Sequence, residues 1–268
     1  MTAASRMPDH GGDEATPPRI AALLRLAGEE VRVGLALRSV AWADERIAVD
    51  LGSNDRTIRE CSALGVELVE AGEVPAKIAR RGVDWVLLIE GYEEVPSDLA
   101  GEIRRAVSVR GSAAVPVAYR IGRRIRFLGR TLRSRSWAAP RWVRLARRDA
   151  VSWDKGALGT GSLPVEGRVG CLTNPLLAQP CVNLREYVSR MDILSNAAAR
   201  EQHRAGVPVG WLDLVARPAA YALRTMPGAA AGDGIAGVIL AVLEAYSIVL
   251  TCAKRWELER ACRPRAPV

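Results

Sequence analysis

The run VDWVLLIEGYEEV, residues 83–95, carries an unbroken apolar stretch into Glu90, Glu93 and Glu94. Acids at the tip of a buried strand in an α/β protein stand where ligands bind, and there they hold a divalent cation or a ribose. A second group follows ERIAV, where Asp50, Ser53, Asp55 and Thr57 occupy the loop DLGSNDRT. A carboxylate at that tip accepts hydrogen bonds from a ribose or a base; the competing reading is an Asx turn in which Asp55 only caps the next helix. The third group is cationic. Residues 103–148 hold fourteen Arg and no Asp or Glu, while the net charge of the chain is +8, so the remainder is net acidic. Such a segment suits phosphates, nucleic acid or an anionic membrane surface, and its plain alternative is a solvated face.

These groups need elements to position them. RIAALLRLAGEE (19–30) is an apolar run ending at a glycine and acids, which predicts a first strand. EEVRVGLALRSVAWA predicts a helix with Val31, Leu35, Leu37 and Val40 on its apolar stripe. A second strand is expected over 47–50, a short helix in TIRECSALG stopped by Gly65, and a third strand in VELVEA. VPAKIARRG is a helix closed by Gly82, DWVLLIE a fourth strand, and PSDLAGEIRRAVSVRG a helix with Ser97 as N-cap. Strand–helix alternation on short links predicts a parallel, right-handed, doubly wound sheet. After Ala113 the chain turns extended and hairpin-like in AAVPVAYRIGRRIRFLGRTL. WVRLARRDAV is another strand and GALGTGSLPVEGRVG a loop. Asn183 caps a helix over 183–205, and WLDLVARPAAYALRT and DGIAGVILAVLEAYSIVLTCAKRWELER supply two more.

The 268 residues divide into a tail at 1–18 that reads as disordered, an α/β domain over 19–180 and a helical annex over 181–268. Five widely spaced cysteines without a CxxC pair read as reduced thiols, and with no secretory leader the chain is expected in the cytoplasm. Residues 234–253 are nearly all apolar, with Glu244 their one charge. A charge at the centre of a span costs about 3 kcal/mol, which argues against a spanning helix. Ile235, Val238, Ile239, Val242, Leu243, Tyr246 and Val249 form a stripe at helical spacing instead. The usual meaning is packing against a neighbouring helix; the sharper one is a helix in the interface of the inner membrane face, beside the arginine segment.

The order of these pieces resembles family 2 glycosyltransferases of the lipopolysaccharide-core type, over about residues 19–260. SVAWADERIAVDLGSNDRT is similar to that family's W-A-D-E-I-V-V-V-D-S-G-S-T-D-G-T, and DWVLLIEGYEEV to its D-W-V-L-S-L-D-A-D-E-R-V. YRIGRRIRFLGRTLRSRSW and WVRLARR resemble its basic segment, which ends in R-L-F-R-R. VEGRVGCLTNPLLAQPCVNLREYV resembles its G-x-V-G-x-L…L-L-H…L-x-E-Y stretch, and ARPAAYALRT…DGIAGVILAVLEAY…KRWE its closing helices. Each piece is a weak signal, but all of them in order and near-right spacing are specific for ancestry and fold.

The resemblance implies an α/β glycosyltransferase-A fold, a Rossmann-like nucleotide-diphospho-sugar transferase sheet with a C-terminal helical annex. It implies inverting transfer of a sugar from a nucleotide-diphosphate sugar to a glycan or lipid-linked acceptor. Asp50, Ser53, Asp55 and Thr57 match the nucleoside side, with Glu90 beside them. The family's Asp-x-Asp, which holds Mg²⁺ or Mn²⁺ on the diphosphate, falls on Glu90 and Tyr92. A phenol of pKa about 10 is a poor ligand for these ions at neutral pH. Glu93 reaches the same place only if the chain turns, because successive side chains of an extended segment point to opposite sides. Glu90, Tyr92 and Glu93 thus read as a degenerate metal site, with no metal expected. The family's His-Glu, whose carboxylate deprotonates the acceptor, falls on Thr160 and Gly161; the histidine of its L-L-H is Ala178, and its N-E-E is Gly28, Glu29 and Glu30. Of the two histidines, His10 falls in the tail and His203 on a helix facing solvent. Asp154 and Glu166 are the carboxylates near the missing base.

Two functions follow. One is a glycosyltransferase working without a metal, in which arginines stabilise the leaving diphosphate through charge-assisted, bidentate contacts; Arg120, Arg123, Arg130, Arg144 and Arg147 are the candidates. The other is a non-catalytic relative that binds nucleotide, glycan or a partner protein. Specific nucleic-acid binding is not expected, since no recognition motif or stacking platform accompanies the arginines.

Overall fold

The computed structural model describes residues 16–53, 55–109, 115–134, 137, 142–153, 158, 161–206 and 208–261. Strand β1, Ile20–Leu26, is buried along its whole length and pairs in parallel with Glu45–Asp50 (β2) on one side and Trp85–Glu90 (β4) on the other. Between them run helices Val33–Ser39 (α1), Thr57–Ala63 (α2) and Val74–Arg80 (α3), and the short strand Glu67–Leu68 (β3). Glu93–Glu94 (β5) and helix Ser97–Ser108 (α4) follow, then Ala118–Ile121 (β6), Arg123–Phe127 (β7), Arg130–Thr131 (β8) and Trp142–Arg147 (β9). Val169–Cys171 (β10) and Leu176–Ala178 (β11) complete the strands. The main sheet has seven strands in the order β10-β6-β9-β4-β1-β2-β3. It is parallel except for β9, which runs antiparallel to both β4 and β6. A four-stranded sheet, β5-β11-β7-β8, stands beside it.

The expected strands, short helices and glycine stops are in place; Gly65 and Gly82 close α2 and α3 at φ +66° and +61°, where a side chain is strained. Three local expectations change. The buried face of α1 is Val33, Ala36, Leu37 and, just beyond, Val40, whereas Val31 is 71% exposed and Leu35 points out. Two stripes at helical spacing were available, and the sheet chose between them. The N-cap of α4 is Pro96, with Ser97 already inside the helix and making no capping bond. The sheet is not wholly parallel, because β9 returns beside β4 through a hairpin-like excursion rather than a crossover helix.

The annex begins as expected. Asn183 Oδ1 accepts the N–H of Glu186 at 3.0 Å, and Glu186 Oε2 accepts the N–H of Val182 at 2.7 Å, a reciprocal cap for Leu184–Arg204 (α5). Trp211–Ala261 (α6) is two helical arms joined at Gly234, whose φ of 60° and ψ of −141° break the helix. The arms run antiparallel, since Cys252 Sγ reaches Asp213 O at 3.8 Å and a Cβ on Gly237 would lie 2.5 Å from Ala229 O. The side of the second arm that packs is Ala236, Leu240 and Ala241, while Ile235, Val242 and Tyr246 of the expected packing stripe are exposed. Small residues allow the arms to approach closely, which leaves these three outside, while Ile239 and Leu243 of the same stripe pack against the core. Because a backbone oxygen blocks its Cβ, Gly237→Ala is expected to destabilise the chain by about 1–3 kcal/mol in urea titration; an unchanged midpoint would contradict the hairpin geometry.

Three cores result. One lies on each face of the main sheet, and the third joins Ile125 and Phe127 of β7 and Tyr187 and Met191 of α5 to Ala229, Ala236 and Leu240 of the hairpin. The annex is thereby clamped over the C-terminal tips of β1 and β4.

Candidate active site: an arginine-filled strand tip

Arg25 stands directly opposite Glu90 in the β1–β4 ladder, and its Nη1 donates to Glu90 Oε1 at 3.1 Å. Beyond Glu90 the chain turns through Gly91 and Tyr92, so Glu93 comes back and its Oε2 accepts the Glu90 N–H at 3.0 Å. Both carboxylates then meet Arg144, which donates from Nη1 to Glu90 Oε1 at 3.3 Å and from Nη2 to Glu93 Oε1 at 3.1 Å. Arg123 adds a contact to Glu93 Oε1 at 3.6 Å. Arg25, Arg144, Glu90 and Glu93 are all buried. Burial alone would raise the Glu90 carboxyl, but Arg25, Arg144 and Arg123 outweigh it and hold the group below the usual range.

A shift in strand register places Arg144. Tyr119 pairs with Leu145 and Arg120 with Val143, which leaves Arg144 as the extra residue of a β-bulge. A bulge re-aims one side chain while the strand continues.

Tyr92 also has a partner. The Arg190 guanidinium of α5 lies 4.2 Å from its ring centroid and 5.3 Å from that of Tyr187, while Tyr187 Oη donates to Glu244 Oε1 of the hairpin at 2.8 Å. Burial, with Glu90 and Glu93 nearby, pushes the Tyr92 phenol up, so it remains neutral at physiological pH. Arg190 also donates to Pro180 O.

These residues border a cleft of about 240 Å³ between the β4 tip, α5 and the second arm of α6. Arg123 and Arg144 share the face of Trp142 at 3.6 and 5.4 Å, and Ser195, Glu244, Ser247 and Thr251 line the helical wall.

The residues present do not fit a divalent cation. The chain does turn, so Glu93 and Glu90 converge, yet the oxygens that would bind the ion receive guanidinium N–H groups. No cluster of three or more His, Cys, Asp or Glu stands in cation-holding range among the described residues.

The nucleoside-side candidates are gathered at the neighbouring tips. Asp50 accepts the N–H groups of Gly52 and Ser53 and the Ser53 hydroxyl, whose oxygen accepts the Gly28 N–H at 2.9 Å. Asp55 accepts the N–H and hydroxyl of Thr57, and its Oδ2 accepts the Glu30 N–H at 3.3 Å. Both carboxylates therefore serve the turn, and Asp55 remains exposed. Ile193 of α5 reaches within 3.5 Å of where a Cβ on Gly28 would sit.

Among the candidate arginines, Arg123 and Arg144 belong to the cleft. Arg120 lies on β6 away from the lining, and Arg130 lies beside the α6 turn in a groove of about 550 Å³ with Arg133 and Asp233. Arg147 pairs with Asp149 and stands opposite Trp85, at the start of β4, about 17 Å along the strand from Glu90. A charge run says nothing of direction, and the β9 ladder points these residues elsewhere. Glu166 is exposed beside Ala150, at the same far end of the sheet. Asp154, Thr160 and His10 lie outside the described residues; His203 is half-buried rather than solvent-facing. Gly161 does come to the site, where a Cβ would meet Arg25 Nη1 at 2.7 Å and Glu90 Oε1 at 2.8 Å, leaving no room for an acid. Ala178 is buried opposite Glu93.

Sequence reasoning does not reach Arg25 or Arg190, and it gives Glu29 only as part of an altered motif. Arg25 had a signal, because a lone arginine in IAALLRL can be buried only with an acid beside it. Glu29 is buried behind Gly91, its Oε2 accepts the Ala27 N–H at 2.6 Å, and burial pushes its carboxyl up to about 7 against the opposing charge of Arg190.

No family profile matches the chain. Among solved structures it is similar to glucosyl-3-phosphoglycerate synthase from Mycobacterium tuberculosis in complex with Mn²⁺, UDP and glucosyl-3-phosphoglycerate, with 15% identity, a TM-score of 0.39, and 71% of this chain and 81% of that one covered. It is similar also to the mannosyltransferase PcManGT from Pyrobaculum calidifontis in complex with GDP-Man and Mn²⁺, with 12% identity, a TM-score of 0.46, and coverage of 90% and 88%. At these values the likeness concerns the α/β layout, not the reaction. The mixed sheet with a long C-terminal helical segment is what the chain itself forms.

Proposed function

We propose that the chain is a sugar transferase using a nucleotide-diphosphate donor without a divalent cation, of the family 2 type that its motifs resemble. The observation that carries this reading is the guanidinium set of Arg25, Arg123 and Arg144 fixed on Glu90 and Glu93 at the strand tip. Positive charge already held in place needs no reorganisation as negative charge grows on a leaving diphosphate. Arg123 and Arg190, on opposite walls of the cleft, would take the phosphoryl oxygens. Glu244 is the lining carboxylate without an arginine partner, held by Tyr187, and would receive the proton of an acceptor hydroxyl, glycan or lipid-linked.

The test is calorimetry with UDP- and GDP-sugars, followed by turnover, each with Mn²⁺ or with excess EDTA. Binding and turnover are expected to be the same in both; strict dependence on Mn²⁺ would sink the proposal. Arg123→Ala is expected to weaken donor binding about tenfold, and Glu244→Gln to abolish turnover while leaving donor affinity intact.

The second reading, a binding protein without turnover, is favoured by Gly161, whose packing against Arg25 and Glu90 leaves no base at that position. Donor binding without transfer or hydrolysis would select it.

A further inference from the structure

The α6 hairpin turns an apolar surface to solvent. On the first arm Trp211, Val215, Ala219, Leu223 and Pro227 recur at four-residue spacing and all are exposed, Trp211 at 75% and Leu223 at 76%. On the second arm Ile235, at 78%, Val242 and Tyr246 continue that surface. The most apolar window of the helix is only 22% buried. A core helix hides such residues; this one packs Ala229, Ala236, Leu240 and Ala241 inward and leaves Trp211, Val215, Leu223, Ile235, Val242 and Tyr246 exposed.

The charges indicate what covers the surface. Between residues 214 and 253 the charged side chains are Arg217, Arg224, Asp233 and Glu244. Both acids are engaged by the protein, Asp233 by the N–H groups of Arg133 and Ser134 and Glu244 by the Tyr187 hydroxyl. Both arginines are exposed; Arg217 pairs with Asp213 one turn before it at 2.9 Å, while exposed Arg130 and Arg133 stand beside the hairpin turn toward which Arg224 lies. An apolar face with Arg224, Arg130 and Arg133 toward its turn, and with Asp213, Asp233 and Glu244 each engaged within the protein, complements acyl chains under anionic headgroups. A second copy of the same face would instead bury Arg224 against itself, Asp213 being already engaged by Arg217.

We propose that the α6 hairpin lies in the interface of an anionic bilayer, with Trp211, Val215, Leu223 and Ile235 among the acyl chains and Arg224, Arg130 and Arg133 on lipid phosphates. Its opposite side packs on Phe127 and Tyr187, so the hairpin lies along the surface rather than spanning it. The second arm also supplies Glu244, Ser247 and Thr251 to the cleft, which docking would carry to the headgroup layer.

The test is flotation of the full chain with vesicles of phosphatidylcholine containing about a quarter phosphatidylglycerol. The wild type is expected to float with these, less with phosphatidylcholine alone, and less as salt rises. Arg224→Gln and Arg133→Gln are each expected to reduce partitioning about fivefold. The double variant Val215→Glu/Leu223→Glu is expected to lose at least about tenfold, with an unchanged thermal melt because both positions are exposed. Brominated lipid is expected to quench tryptophan emission, and less so after Trp211→Phe. Flotation of the double variant at the wild-type level overturns the proposal. So does a wild type that stays in the aqueous fraction, whether sedimenting as a dimer, which would assign the face to a second copy, or as a monomer. None of these readouts depends on sugar transfer, so this inference and the proposed function fail independently.

Discussion

Arg144→Met is expected to lower the unfolding free energy by about 3 kcal/mol in urea titration, whereas Arg147→Met, three residues further along β9 and of the same charge, is expected to change it by less than about 0.5 kcal/mol. Breaking a buried ion pair leaves charge stranded away from water, and Arg144 serves two buried carboxylates at once. The loss stays at the low end of the range for such changes because Glu90 keeps Arg25 and Glu93 keeps Arg123. The Arg147–Asp149 pair is exposed and screened by solvent. Equal effects of the two substitutions would show that the strand-tip cluster is not the buried network described above.

The second large effect concerns pH. Glu29 has its folded pKa raised from 4.5 to about 7, by burial first, so the folded chain holds a proton there that the unfolded chain releases. Its contribution is fully present below pH 4.5 and is lost as pH rises toward 7, by about 3 kcal/mol in all. Glu90 acts in the opposite sense. Its folded pKa is depressed, so its contribution is present above the unfolded value and disappears as pH falls through the folded one. Wild-type stability is therefore expected to peak on the acid side of neutrality. Glu29→Gln keeps an oxygen for the Ala27 N–H and removes the titration. The variant is expected to exceed wild type at pH 8 and to show a flat profile between pH 5 and 8, measured by urea titration at each pH. A wild-type profile equally flat across that interval would refute the assignment.

Much of the site's scaffold was legible. Acids at the end of VDWVLLIE had to stand at a sheet tip, and the loop after ERIAV had to stand beside them, because apolar strand runs and glycine stops are local signals. The role of Asp55 as a turn former was one of two readings, and its bonds to Thr57 are those of the turn. What escaped was partnership. From fourteen arginines in one segment nothing in their spacing separates Arg123 and Arg144 from Arg130 and Arg147. The bulge in β9 aims Arg144, and a bulge is a property of two strands aligned, not of one; the placing of β7 beside the β4 tip selects Arg123. Arg190 sits far along the chain from Tyr92 and meets it only because α5 crosses the strand tips.

The amino-acid sequence by itself determined the alternation of strands and helices, the cap at Asn183, the acidic tip of β4 and the apolar character of residues 234–253. Each rests on periodicity or on chemistry within a few residues. Tertiary structure alone decided which side of each helix is inside. In α1 it buried Val33 and Leu37 rather than Val31, and in the hairpin Ala236 and Leu240 rather than Ile235 and Val242. Close approach of the arms at Gly237 selects small side chains for the contact, so Ile235 and Val242 face outward. It likewise decided that Glu90 and Glu93 meet guanidinium groups, because only the folded chain brings β1 and β9 of the main sheet and β7 of the smaller one to one tip.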